Sequence, residues 1–157
     1  MAEAAILNIE TYRQEALESR FRERLHGELD KWLDRMEEVM DKNDKPSSLW
    51  DITQGIRSHR EELMGNVARE WIERKYSSYL QQEYADCPLC GKRLKRHALS
   101  ERTLETMIGE IPINRPYFYC STCSYGFYPL DESLGLCSGR KQYDIQEAAA
   151  DLAKEVP

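Results

Sequence analysis

Four cysteines in two pairs constrain this chain more than any other feature. Cys87-Pro-Leu-Cys90 and Cys120-Ser-Thr-Cys123 each place two residues between their thiols, and 29 residues separate the pairs. A two-residue gap lets a tight turn aim both sulfurs at one point, and two such turns offer four thiolates to a tetrahedral Zn²⁺ ion. Gly91 and Gly126 stand behind the two turns to relieve the backbone. Four thiolates leave no open coordination position, so the expected role of the zinc is structural. The alternatives are two disulfides or four reduced thiols, and no export signal supports disulfides. A redox Cys-x-x-Cys would follow a strand and open a helix, which neither pair does. Cys137 has no paired neighbour and reads as a partly buried free thiol, while His97 is a substitute ligand that four cysteines make unnecessary.

Between the pairs, Leu104, Thr106 and Ile108 alternate with polar neighbours, and Ile111, Ile113, Arg115, Tyr117 and Tyr119 alternate after them. That pattern predicts a β-hairpin, with Gly109-Glu110 as a type II′ turn. Pro112 and Pro116 demote its second strand to an edge or bulged one.

Upstream, the periodicity is helical. From Ile9 to Met40 apolar residues recur every three or four positions, including Tyr12, Phe21, Leu25, Leu29, Leu33 and Met36, which predicts a long amphipathic helix. Lys42 to Ser47 is a polar turn run. Ser48 and Asp51 resemble a capping box with Asp in place of Glu or Gln, opening a second helix whose stripe runs from Ile52 to Leu80. Two such helices bury their faces as an antiparallel hairpin. Trp32, Trp50 and Trp71 supply more apolar area than one pair covers, so the helices dock on the rest of the chain or dimerise. After a turn-rich run from Pro129 to Gln142, Asp144 opens a short helix faced by Ile145, Ala148, Leu152 and Val156.

The reading is an α+β chain of 157 residues in three parts. Residues 1–84 form a long helical hairpin, 85–130 a small four-cysteine zinc ribbon, and 131–157 a linker with a C-terminal helix. Total charge is −6, which excludes an overall basic nucleic-acid binder. The distribution is uneven: residues 85–128 hold six basic and four acidic side chains and are the only positive segment. Lys92, Arg93, Lys95 and Arg96 follow the first cysteine turn, and Arg102 and Arg115 lie on the hairpin, a set suited to a phosphate backbone or to a solvated loop. Tyr117, Phe118, Tyr119, Tyr125, Phe127 and Tyr128 surround the second pair as core or as base-stacking groups. The N-terminus has no basic region before an apolar run, and the longest uncharged stretch, Pro116 to Leu130, has 15 residues. Neither suits a signal peptide or a membrane span, so a cytoplasmic chain is expected. No phosphate-binding glycine loop, nucleophile elbow or His-Glu-x-x-His helix appears. Asp131-Glu132 reads as a turn cap rather than a Mg²⁺ site.

Taken together, Cys87-Pro-x-Cys90-Gly91, Arg102-Thr-Leu-x-Thr106-x-x-Gly109-Glu-Ile-x-Ile113-x-Arg115-x-Tyr117-x-x-Cys120-x-x-Cys123 and Gly126-x-x-Pro129-Leu130-Asp131-x-x-Leu134-Gly135-Leu136 resemble the N-terminal region of ISKra-type insertion-sequence transposases, over roughly residues 85 to 157. The resemblance implies zinc at Cys87, Cys90, Cys120 and Cys123, and a DNA-facing role for the basic residues around them. Members of that family continue into a metal-dependent RNase H-like catalytic domain, which this chain is expected to lack, so no catalysis is assigned to it. The implied partners are DNA at element ends and a full-length transposase or a second copy. The alternative is a helical interaction module that zinc stabilises, a regulator or remnant of a mobile element.

Overall fold

The computed structural model describes residues 2–41 and 48–155. The expected turn at Lys42 to Ser47 and the expected helix face at Val156 lie outside the described residues. The chain divides into two compact units, Met1–Leu63 and Met64–Pro157, so compactness divides it within a helix, whereas sequence texture changes near residue 84.

In the first unit, α1 (Ala2–Asp41) runs for 40 residues and meets the start of α2 (Leu49–Lys75). The capping box forms as expected. The Ser48 N–H donates to Asp51 Oδ2 at 3.0 Å and the Asp51 N–H to Ser48 Oγ at 3.2 Å, satisfying two donors that the helix start leaves open. Gly55 is buried where Met36 and Met40 close over it, and Arg35 pairs with Glu62. These contacts define an antiparallel helical hairpin.

The second unit takes the rest of α2, the short α3 (Ser77–Leu80), five strands, α4 (Pro129–Leu134) and α5 (Tyr143–Glu155). Strands β1 (Tyr84–Asp86) and β2 (Arg93–Lys95) pair antiparallel, and β3 (Ala98–Thr106), β4 (Gly109–Cys120) and β5 (Tyr125–Phe127) form an antiparallel sheet with β4 central. The β3–β4 hairpin turns at Met107-Ile108, because Thr106 pairs with Gly109. The expected Gly109-Glu110 turn is therefore two residues late. Gly109, at φ 136°, uses its freedom to enter β4, while Thr106 Oγ1 donates to its carbonyl and the Met107 N–H to Asp144. Strand β5 covers only Phe118 to Cys120. Pro112 and Pro116 thus fall where β4 has one neighbour, as an edge strand requires.

Strand β4 serves two cores, one on each face. Its odd-numbered Ile111 and Ile113 pack with Leu104, Leu130, Ala68, Ile72, Tyr76 and Leu80. Further along, the even-numbered Phe118 and Cys120 pack with Ala85, Cys87 and Leu94. Period-two alternation makes this switch available to any long strand. Helix α2 comes so close that a side chain at Gly65 would overlap the Glu110 carbonyl, so glycine there is a condition of packing. The connection after α4 lies along β3, with the Glu105 N–H donating to the Arg140 carbonyl and the Gln142 N–H to the Glu105 carbonyl.

Candidate metal centre

Each cysteine pair sits in the turn between two strands. The first links β1 to β2: the Gly91 N–H donates to the Cys87 carbonyl at 2.8 Å and the Cys87 N–H to the Lys92 carbonyl at 2.9 Å. The second links β4 to β5. Behind Cys90 the left-handed position belongs to Gly91, as expected, at φ 71°. Behind Cys123 it belongs to Ser124 at φ 50°, not to Gly126. Gly126 has another function, because a side chain there would overlap the Tyr117 ring.

The four sulfurs of Cys87, Cys90, Cys120 and Cys123 all lie within 4.8 Å of one another. Zinc–thiolate bonds of about 2.3 Å in a tetrahedron separate the sulfurs by about 3.8 Å, and Cys90 Sγ stands 3.7 Å from Cys120 Sγ. Donor set and spacing therefore suit a tetrahedral, thiophilic ion. All five cysteines are free thiols. Among the described residues this is the one group of three or more His, Cys, Asp or Glu side chains placed to share an ion. His97 stands apart, its ring 5.8 Å from that of Tyr117 and 6.4 Å from that of Tyr119.

Electrostatics favour a cation. The Cys123 N–H, directed at Cys120, together with hydrogen bonds from Cys90 and Cys87, lowers the Cys120 thiol to about 6. The hydrogen bond to Cys90, with burial and the charge of Cys120, pushes Cys123 up to about 12. One thiolate is favoured and a second beside it is resisted, so an ion bound by all four sulfurs would have to displace thiol protons.

The basic residues separate into two groups. Lys92, Arg93 and Lys95 are exposed, and Arg96 is half-buried. Strand β2 turns Leu94 inward and Arg93 and Lys95 outward, with Arg93 5.1 Å from the Tyr84 ring centre. Arg102 and Arg115 are inside the unit instead. Both pair with Asp131 Oδ2, Arg102 at 2.8 Å. Arg102 also donates to the carbonyls of Cys137 and Gly139, and the Arg115 guanidinium lies 3.6 Å from the Tyr128 ring centre. These two residues, expected to face a phosphate backbone, direct these donors within the unit, where they hold α4 and the following connection to the sheet. Asp131 caps no turn with its side chain but supplies the counter-charge, a role the spacing did not signal. Of the aromatic cluster, Phe118 is buried in the cysteine core, whereas Tyr119 and Tyr125 are exposed.

No family model, curated protein or solved structure matches this chain. Among the described residues no helix is long and apolar enough to cross a membrane.

Proposed function

We propose that the chain is a zinc-ribbon DNA-binding piece of an insertion-sequence transposase, which recognises or organises DNA ends without carrying out strand transfer. The observation that carries this reading is the coupling of the cysteine turn to the basic strand. Cys87 is hydrogen-bonded to the Lys92 carbonyl, and Leu94 packs beside Cys87 and Cys120. The backbone that positions the sulfurs therefore also positions Lys92, Arg93 and Lys95 on the outside. A fixed set of cations beside a rigid turn suits phosphate contacts, which set affinity through counterion release.

In this reading zinc is a structural cofactor held by Cys87, Cys90, Cys120 and Cys123. It supplies cross-linking of two turns over a small core and no reaction step. Reduced thiols of this kind belong in the cytoplasm. The interface consists of Lys92, Arg93, Lys95 and Arg96, while Arg102 and Arg115 support the ribbon from within.

The test is fluorescence anisotropy of the zinc-loaded chain on duplexes from the flanks of its own gene and on scrambled duplexes, at low and moderate salt. Specific binding that chelation abolishes, with a shallower salt dependence after charge reversal at Lys92, Arg93, Lys95 and Arg96, is the expected result. Absence of binding, or affinity indifferent to those reversals, overturns it.

A further inference from the structure

The helical unit carries an apolar strip that its own two helices leave open. Arg35 and Glu62 close one side of the α1–α2 seam. At about 100° per residue, Leu33 on α1 and Ile52 and Ile56 on α2 emerge together on the opposite side. They are 44%, 39% and 43% exposed, and Leu49 continues the strip at the end of the hairpin at 77%. The register places Leu33 level with Leu63 and Ile56 level with Met40, both half-buried, so the exposed aliphatic groups are spaced along one side of the hairpin. Apolar groups gathered on one face mark an interaction site more often than scattered ones do. The strip is bordered by unlike charges. Exposed Glu37 flanks Leu33 on α1, and exposed Arg60 flanks Ile56 on α2.

We propose that this strip is a homodimer interface, on which a second copy of the chain packs about a two-fold axis parallel to the helices to make an antiparallel four-helix bundle. The charges select this arrangement. The contacts of Arg35 with Glu62 and of Met40 with Gly55 set the register of the hairpin, which puts Arg60 level with Met36 and Glu37. A two-fold axis along the helices keeps every residue at its level and sets α1 of one copy over α2 of the other. Glu37 then faces Arg60 of the partner subunit, and symmetry supplies the same pair again. The other two-fold packing stacks α1 antiparallel on α1, which sets the acidic row of Asp30, Asp34, Glu37 and Asp41 against the same row of the second copy. Like charges brought together in that way disfavour it. The strip is short for a stable interface, so association in the micromolar range is expected. None of its residues belongs to the cysteine module, and the proposal stands whether or not that module binds DNA.

The experiment is multi-angle light scattering and sedimentation equilibrium of the zinc-loaded chain from about 5 to about 200 µM, alongside Glu37→Arg, Arg60→Glu and the double variant. The expected result is a mass rising toward twice 18.4 kDa for the unaltered chain. Each single variant stays monomeric, and the double variant dimerises again. An equimolar mixture of the two single variants also dimerises, because the arginine introduced on α1 of one chain then meets the glutamate introduced on α2 of the other. Circular dichroism verifies that the helices persist in each variant. A monomer throughout the range overturns the proposal, and so does a dimer that neither reversal weakens or that the double variant and the mixture fail to restore.

Discussion

Gly91 and Ser124 occupy the same place in the two cysteine turns, one residue past the second thiol, and both are left-handed, at φ 71° and 50°. Only the first is glycine. A non-glycine residue in this region costs about 1–2 kcal/mol relative to its right-handed alternatives, so the second turn carries strain that the first does not. Ser124→Gly is expected to stabilise the metal-loaded chain by up to about 1 kcal/mol, and Gly91→Ala to destabilise it by a similar amount. A methyl group at Gly91 meets nothing within 4 Å, so its effect is that of backbone conformation alone. Urea denaturation with zinc present measures both, and equal responses of opposite sign are the expected outcome.

Removal of the metal should act on one core and spare the other. Phe118 is fully buried beside Cys87 and Cys120, in a cluster too small to offset chain entropy without its cross-link. Chelation is expected to loosen residues 84–95 and 118–127, with hydrogen-exchange protection falling there first and persisting around Ile111 and Ile113. Phe118→Ala removes a large side chain from this core, a change that costs about 3–5 kcal/mol in well-packed sites, and should speed zinc loss to a competing chelator. Ile113→Ala belongs to the other core and should lower stability while leaving the rate of zinc loss nearly unchanged. Equal rates for the two variants would mean that the faces of β4 are not independent.

The two helices, the cysteine set, the capping box and the edge prolines were all legible because each depends on a local pattern: a 3.6-residue stripe, a two-residue gap, a hydroxyl before a carboxylate, a missing N–H. What escaped depends on contacts distant in sequence. Strands β1 and β2 have three residues each, too few for alternation to register. The start of β3 at Ala98 was hidden because Leu99 lies on an exposed face. Gly109 and Gly126 were legible as glycines but not as to purpose, since one is needed at the start of a strand and the other beneath the ring of Tyr117. Arg102, Arg115 and Asp131 read as a basic patch and a turn acid, and only folding shows that they neutralise one another.

The start of α2 provides a titration. Hydrogen bonds from the Ser48 hydroxyl and N–H hold the Asp51 carboxyl below its ordinary 3.8, so folding favours its charged form. A carboxylate depressed in this way contributes stability that is complete above the ordinary value and is lost as pH falls through the depressed one. Helical ellipticity is therefore expected to fall below pH 3.8 by a component that Asp51→Asn removes. Ser48→Ala, which deletes the hydroxyl that both accepts from and donates to Asp51, should cost about 1 kcal/mol at neutral pH. An acid transition identical in the Asn variant would show that the cap does not govern it.

Asp131 decides whether Arg102 and Arg115 are structural. Their side chains are 13% and 11% exposed and that of Asp131 is 20% exposed, and burial already lowers the pKa of Arg115 against the opposing pull of Asp131. Asp131→Asn keeps the shape of the side chain but leaves two guanidinium groups without a counter-charge. Breaking a largely buried pair in this way costs about 3–5 kcal/mol, read as a lower midpoint in denaturant. The network lies outside the cysteine core, so one zinc per chain should be retained. DNA affinity is the discriminating measurement. If the two arginines serve only the fold, the affinity of the folded variant at low temperature stays within about twofold of the parent, well under 1 kcal/mol. If they are phosphate contacts that Asp131 restrains, releasing them strengthens binding and steepens its salt dependence by the additional charges engaged, and that outcome would restore both residues to the interface.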